Sequence, residues 1–177
     1  MDVGVPTTLI YETHSTTLDN ENGIATGWLP GELSEEGRRH AVDLGDRRRG
    51  AVDIVFSSDL HRAMKTVELA ALGVPHLVDW RLRECNYGEL NGTPAAGLAP
   101  RDRWIDQPYP GGQSYREVLE LTRSWLDDVK RWYGERRLLV VAHSANRWAL
   151  QHLLTDVPLE ELVDAPFDWR PGWVYEI

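Results

Sequence analysis

The sequence predicts an α/β domain, a single three-layer unit with a mainly parallel sheet and helices on both faces. Three observations lead there. Short apolar or β-branched runs alternate along the chain with longer helical patterns, the order that right-handed strand, helix, strand crossovers produce. The run Leu138-Leu139-Val140-Val141-Ala142 is apolar without alternation, as a strand covered on both faces must be. The 177 residues, 42% hydrophobic and 27% charged, hold no repeat, linker or charge block, so residues 1–177 are read as one domain with enough chain for a core.

Taken in order, Thr7 to Tyr11 is the first strand, and Glu12 to Leu33 fits no regular element. Ser34 to Arg48 reads as a helix: Ser34 is an N-cap residue, and Glu35 and Glu36 place negative charge in the first turn. Val52 to Phe56 is the second strand. Asp59 to Leu72 carries Leu60, Met64, Val67 and Ala71 on one helical face, and His76 to Val78 is a third strand. In Gly92 to Gly112, Gly and Pro supply eight of 21 residues, and a loop this long is expected to be a lid or specificity insertion (92–112). A capping box, Ser114-x-x-Glu117, opens a helix with Val118, Leu121, Trp125, Val129 and Trp132 at helical spacing, so Trp125 and Trp132 are expected in the core. Leu138 to Ala142 is the buried strand, Ser144 to Leu154 the last long helix, and Pro158 to Val163 a short amphipathic piece.

Nineteen basic against 28 acidic residues give a net charge of −9 and, with six neutral histidines, a surface that repels nucleic acid and anionic membranes. Cys85 is the only cysteine, so no internal disulfide can form, and a reducing compartment is expected. Met1 to Ile10 lacks the cationic start and apolar length of a signal peptide, which points to the cytoplasm. No metal-ligand spacing and no phosphate-cradling glycine loop is present, so neither metal nor cofactor is expected. Self-association into a homodimer is left open.

In parallel sheets ligands gather at the carboxyl ends of the strands. His14 follows the first strand by three residues and His143 follows the buried strand by one. Arg62 lies in the first turn of the helix after Ser57-Ser58, and Glu84 follows the third strand. Two imidazoles, a guanidinium and a carboxyl group suit an oxyanion that reacts with a nitrogen nucleophile. Neutral imidazole attacks, guanidinium clamps the oxyanion, and a carboxyl group protonates a leaving oxygen. His40, His61, His76 and His152 fall outside this set and are read as structural. Trp28, Trp104 and Trp148 lie in or beside the loops that should wall the site.

The order of these motifs resembles the histidine phosphatase superfamily, with its phosphoglycerate mutase-like fold. Thr13-His14-Ser15-Thr16-Thr17 with Asn20 resembles the opening Arg-His-Gly-x-Thr block. Gly27-Trp28 and Leu33-Ser34-Glu35-x-Gly37 are similar to the stretch leading into the first helix. Ser57-Ser58-Asp59-Leu60-His61-Arg62-Ala63 with Thr66 resembles Ser-Ser-x-Leu-x-Arg-Ala-x-x-Thr. Arg81-Leu82-Arg83-Glu84 resembles the proton-donor block, Gly111-Gly112-Gln113-Ser114 resembles Gly-Gly-Glu-Ser, and Ala142-His143-Ser144-Ala145 resembles Ser-His-Gly-Gly.

The resemblance implies a phosphatase for a small phosphorylated metabolite, working through a phosphohistidine on His14, with Glu84 as proton donor and Arg62 and His143 on the oxyanion. Thr13, Ser15, Thr17, Asn20 and Ser144 would complete the phosphate site. Hydrolysis is favoured over mutase chemistry because the family's mutases carry a longer insertion where 26 residues separate Glu84 from Gly111.

Two departures stand out. Thr13 occupies the place of the first motif arginine, and Ser15 and Ser144 replace glycines. Thr16, Thr17 and Ser144 offer neutral donors in exchange, and Arg147 is a candidate replacement cation. The alternatives are a weakened or inactive member that binds a ligand or partner, and an enzyme adapted to a substrate other than a phosphomonoester.

Overall fold

The computed structural model describes residues 6–177. Its elements are β1 (Thr8–Thr13), α1 (Leu18–Glu21), β2 (Ile24–Ala25), α2 (Glu35–Arg48), β3 (Ile54–Ser57), α3 (His61–Ala70), β4 (His76–Val78), β5 (Thr93–Pro94), α4 (Tyr115–Trp132), β6 (Arg137–Ala142), α5 (Ser144–Thr155), α6 (Leu159–Leu162) and β7 (Trp173–Glu176). The main sheet runs β4-β3-β6-β1-β7 and is parallel except for the edge strand β7. The α/β three-layer expectation holds. The antiparallel edge strand was not foreseen, nor was the small β2-β5 sheet, whose two-residue strands are too short to leave a periodic signal.

β6 sits at the centre, and Leu138 to Ala142 are fully buried, as the unbroken apolar run implies. One face, with Leu9, Tyr11, Phe56 and Val140, is covered by α4 and α5; the other, with Ile10, Val55, Leu139 and Val141, by α2 and α3. β1 extends two residues past its expected end, so His14 follows it directly rather than by three residues. Ser34 caps α2 by accepting from the Gly37 amide, and Ser114 and Glu117 form the full capping box of α4.

Two expectations about burial are corrected. α3 begins at His61, and its buried face is Arg62, Ala63, Thr66, Val67 and Ala70, while Met64 is exposed and Ala71 lies past the helix in a left-handed cap. The Asp59 carboxylate, expected in the helix, lies before it and accepts from Arg83 Nε at 2.7 Å. Trp132 is 70% exposed whereas Trp125 is 1% exposed. Tyr133 fills the place expected for Trp132: Phe56 stands edge-on to Trp125 at 5.4 Å and to Tyr133 at 5.2 Å.

The stretch 92–112 is not an open loop. Its Leu98, Trp104, Ile105 and Tyr109 are buried with Tyr115, Trp148 and Leu159 in one apolar cluster. Among the described residues no helix is long and apolar enough to cross a membrane, and no cluster of metal-ligating side chains occurs.

Candidate active site

A cavity of about 1040 Å³ opens at the carboxyl ends of β1, β3 and β6. His14 is on its wall because β1 ends at Thr13 and the His14 amide donates to Ala142 O, continuing the ladder one residue beyond the strand. The His14 ring is oriented from both sides. Nδ1 lies 2.8 Å from the Ser15 carbonyl, which as an acceptor requires the proton to be on Nδ1. Arg62 Nε donates to Nε2 at 3.2 Å, so Nε2 carries the lone pair. Burial and the Arg62 charge pull the His14 pKa down to about 3, and the imidazole is neutral.

Arg62, 2% exposed, is gripped by backbone that follows β1. Its two terminal nitrogens donate to Leu29 O at 3.0 Å and Gly27 O at 2.8 Å. Three of its five N–H groups are thus engaged, and two are left for a ligand. The Gly27-Trp28 stretch also serves Glu84: Trp28 Nε1 donates to the Glu84 carbonyl at 2.7 Å, and the Arg83 guanidinium lies 4.6 Å over the Trp28 ring. Thr66, one turn along α3, accepts from the Ser15 amide at 3.0 Å and donates to Arg62 O at 2.8 Å. One threonine therefore ties the residue after His14 to the helix that carries Arg62.

Glu84 is on the cavity wall and nearly buried, with Oε1 accepting from the Cys85 amide at 2.8 Å and the Ala145 amide at 3.3 Å, at the start of α5. Burial raises its pKa, against the opposing pull of these amides and of Arg62. A carboxyl group in that state can donate a proton.

His143 is fully buried behind His14, with ring centroids 5.1 Å apart. Its Nε2 meets Ser58 Oγ at 2.7 Å, its backbone carbonyl accepts from the Tyr11 hydroxyl at 2.5 Å, and Nδ1 has no partner. Burial and the charge of Arg62 hold its pKa well below the usual value.

Thr13, Ser15, Asn20 and Ser144 line the cavity. Thr17 does not: it is fully buried and caps α1, its hydroxyl accepting from the Asn20 amide at 3.0 Å while Asn20 Oδ1 accepts from the Thr17 amide at 3.0 Å. Of the tryptophans expected near the site, Trp148 is on the wall, Trp104 belongs to the buried cluster and Trp28 backs Glu84.

Other wall residues were not foreseen: His40, Arg47, Arg101 and the exposed pair Phe167 and Trp169. They come from the exposed side of α2 and from irregular segments, where spacing says nothing about what faces a cavity. His40, read as structural, does make local contacts, with Glu36 at 3.1 Å and Thr16 Oγ1 at 3.5 Å, but it makes them on the cavity wall.

A neutral imidazole, a clamped guanidinium and a buried carboxyl group on one wall can be set beside known proteins. "Putative phosphoserine phosphatase 2" of Hydrogenobacter thermophilus is 34% identical over 167 residues, covering 88% of this chain and 82% of that protein. The 2,3-bisphosphoglycerate-dependent phosphoglycerate mutase of Streptococcus mutans is 38% identical over 101 residues, and the match spans 52% of this chain and 44% of the mutase. The structure of a mycobacterial glucosyl-3-phosphoglycerate phosphatase complexed with VO3 superposes with a TM-score of 0.78 at 28% identity, covering 90% of this chain and 85% of that one. With the profile of the histidine phosphatase superfamily (branch 1) matching residues 13–170, the chain belongs to that superfamily.

Proposed function

We propose that the chain is a phosphatase that hydrolyses a small phosphorylated metabolite through a phosphohistidine on His14. The observation that carries this reading is His14 itself: a neutral imidazole, protonated on Nδ1, whose Nε2 lone pair sits beside Arg62 on the cavity wall. In the first step Nε2 attacks phosphorus, the bond from phosphorus to the leaving oxygen breaks, and protonated Glu84 gives that oxygen its proton. Water then attacks the phosphohistidine and passes a proton to the Glu84 carboxylate. The N–P bond breaks, releasing inorganic phosphate and neutral His14. The two free N–H groups of Arg62 hold the oxyanion, with neutral donors from Thr13, Ser15, Asn20 and Ser144 around it.

Hydrolysis is preferred to phosphoryl transfer between substrates because the 26-residue stretch after Glu84 is short and its large apolar side chains are spent in the core. Ala95, Leu98 and Arg101 of that stretch form a cavity wall, and we assign them to substrate selection. The mutase match, confined to about half of the chain, agrees with this preference. VO3 in the mycobacterial phosphatase supports an oxyanion site in this architecture.

The test is phosphate release from a panel of phosphorylated metabolites and nitrophenyl phosphate, with radiolabelled phosphate trapped on the protein. Release and labelling by wild type and neither by His14→Ala are expected. Equal labelling of both, or silence from both, overturns the reading. One observation favours a second reading, a domain that binds without turnover: the neutral Thr13 at the end of β1. A large gain of activity on simple phosphate esters from Thr13→Arg would favour it.

A further inference from the structure

Four arginines line the cavity: Arg47, Arg62, Arg101 and Arg147. Two of them face carboxylates. Arg47 is 2.8 Å from Glu12, and Arg101 is 3.9 Å from Asp164, whose two oxygens also accept from the Arg101 and Asp102 amides. Among the described residues no carboxylate lies within 4.0 Å of the Arg62 or Arg147 guanidinium, whereas Arg47 shares Glu12 with Arg48, which meets it at 2.7 Å.

A phosphate monoester carries close to two negative charges at neutral pH, and the neutral His14 and His143 contribute none in return. Arg62 alone leaves the oxyanion under-balanced. Arg147 is placed to make up the difference. It lies in the first turn of α5, its amide bonded to His143 O, and its guanidinium sits 4.9 Å over the Trp173 ring. Trp173 pairs with Tyr11 across the β1-β7 ladder, so the guanidinium lies on the face of the sheet where Tyr11 points. Thr13, two residues on, projects from that same face about 7 Å further along the strand, at the cavity. Nη1 of Arg147 donates to Gln151 Oε1, and its Nε is buried without a partner.

Resting on the phosphatase reading above, we infer that Arg147 is the second cation of the oxyanion site, reaching over β1 into the space that the short, neutral Thr13 leaves. It would hold the phosphoryl group being transferred rather than the leaving group.

The test is calorimetric binding of inorganic phosphate and of vanadate, neither of which has a leaving group. Arg147→Gln is expected to weaken both by about tenfold to a hundredfold, and Thr13→Arg added to it to restore most of the loss. In wild-type background Thr13→Arg is expected to bring no gain. This arm stands even if Arg147→Gln fails to fold, and a gain of tenfold or more from it overturns the inference.

A purely structural Arg147, stacked on Trp173, would lower the melting temperature and leave both affinities unchanged. A role toward the leaving group would raise KM only for esters that carry a second anionic group. Either result overturns the inference. Failure of the phosphatase reading is told apart by the same samples. If wild type releases no phosphate yet Arg147→Gln loses phosphate binding, the hydrolase assignment falls and the oxyanion role of Arg147 stands. If wild type binds neither anion, both fall.

Discussion

Glu84 sits in an environment that opposes its charge. Its pKa is raised by burial, so the folded protein holds a proton that the unfolded chain loses near pH 4.5. Stability therefore falls as pH rises through 4.5 toward the folded value, and at neutral pH the ionised unfolded state is favoured relative to a neutral side chain. Glu84→Gln is expected to raise the melting temperature at pH 7 to 8 and to match wild type below pH 4.5, read by thermal denaturation at the two pH values. The same variant should lose about 10² to 10⁴ in kcat on alkyl phosphates, and much less on nitrophenyl phosphate, whose phenolate leaves without a proton. Equal losses on both esters would remove Glu84 as the donor. His14, the proposed nucleophile, by contrast depends on its neighbours for position: Thr66 binds the Ser15 amide, and the Ser15 carbonyl fixes the proton on His14 Nδ1. Thr66, in the block that carries Arg62, thus acts on the block that carries His14 through one residue.

α2 and α3 cover the same face of the sheet and approach so closely that side chains give way to backbone. A Cβ on Gly45 would stand 2.1 Å from the Ala70 carbonyl oxygen, and one on Gly37 would stand 1.8 Å from the Thr16 carbonyl oxygen. Gly37 thus lets the start of α2 press on the loop after His14, and Gly45 lets α2 rest on the helix that carries Arg62. Because the obstructing atom is backbone, Gly45→Ala cannot be absorbed by a rotamer change. It is expected to cost about 1 to 3 kcal/mol despite the better helix propensity of alanine, measured as a lower denaturant midpoint. A stabilised variant would show that the two helices separate freely.

Across the whole molecule, the two imidazoles at the centre set the response to acid. Both are held neutral in the fold, His14 down to about 3 and His143 well below its usual value. As pH falls from about 6.5 toward 3, the unfolded chain takes up protons that the folded protein refuses. Stability is therefore present in full above 6.5 and is lost across that window. The slope is at most about 1.4 kcal/mol per pH unit for each group. Glu84 works in the opposite direction above pH 4.5, so wild type sums the two trends. His14→Asn removes one of the refused protons, and its melting temperature is expected to fall less steeply than that of wild type between pH 6.5 and 4.5. Parallel curves would mean that His14 is protonated in the folded state.

The α/β class, the central strand, the caps of α2 and α4 and the grouping of His14, Arg62 and Glu84 on one cavity were legible in the sequence, because each is written in local pattern or in strand order. β6 is apolar along its length, Ser34 and Ser114 are cap residues with few other uses, and residues that follow parallel strands meet at one edge of the sheet. Other features depend on partners distant in the chain. Asp59 opens the helical pattern in the sequence but is held by Arg83, 24 residues away, and α3 starts at His61. Trp132 has core spacing, but Phe56 packs against Tyr133 instead. The charge balance of the cavity is also a tertiary matter: Arg47 and Arg101 pair with Glu12 and Asp164, whereas Arg147 faces no carboxylate among the described residues. Local pattern determines which elements form and which residues follow the strands. Which charge meets which is decided only when the chain packs, since the Coulomb interaction depends on separation in space and not in sequence.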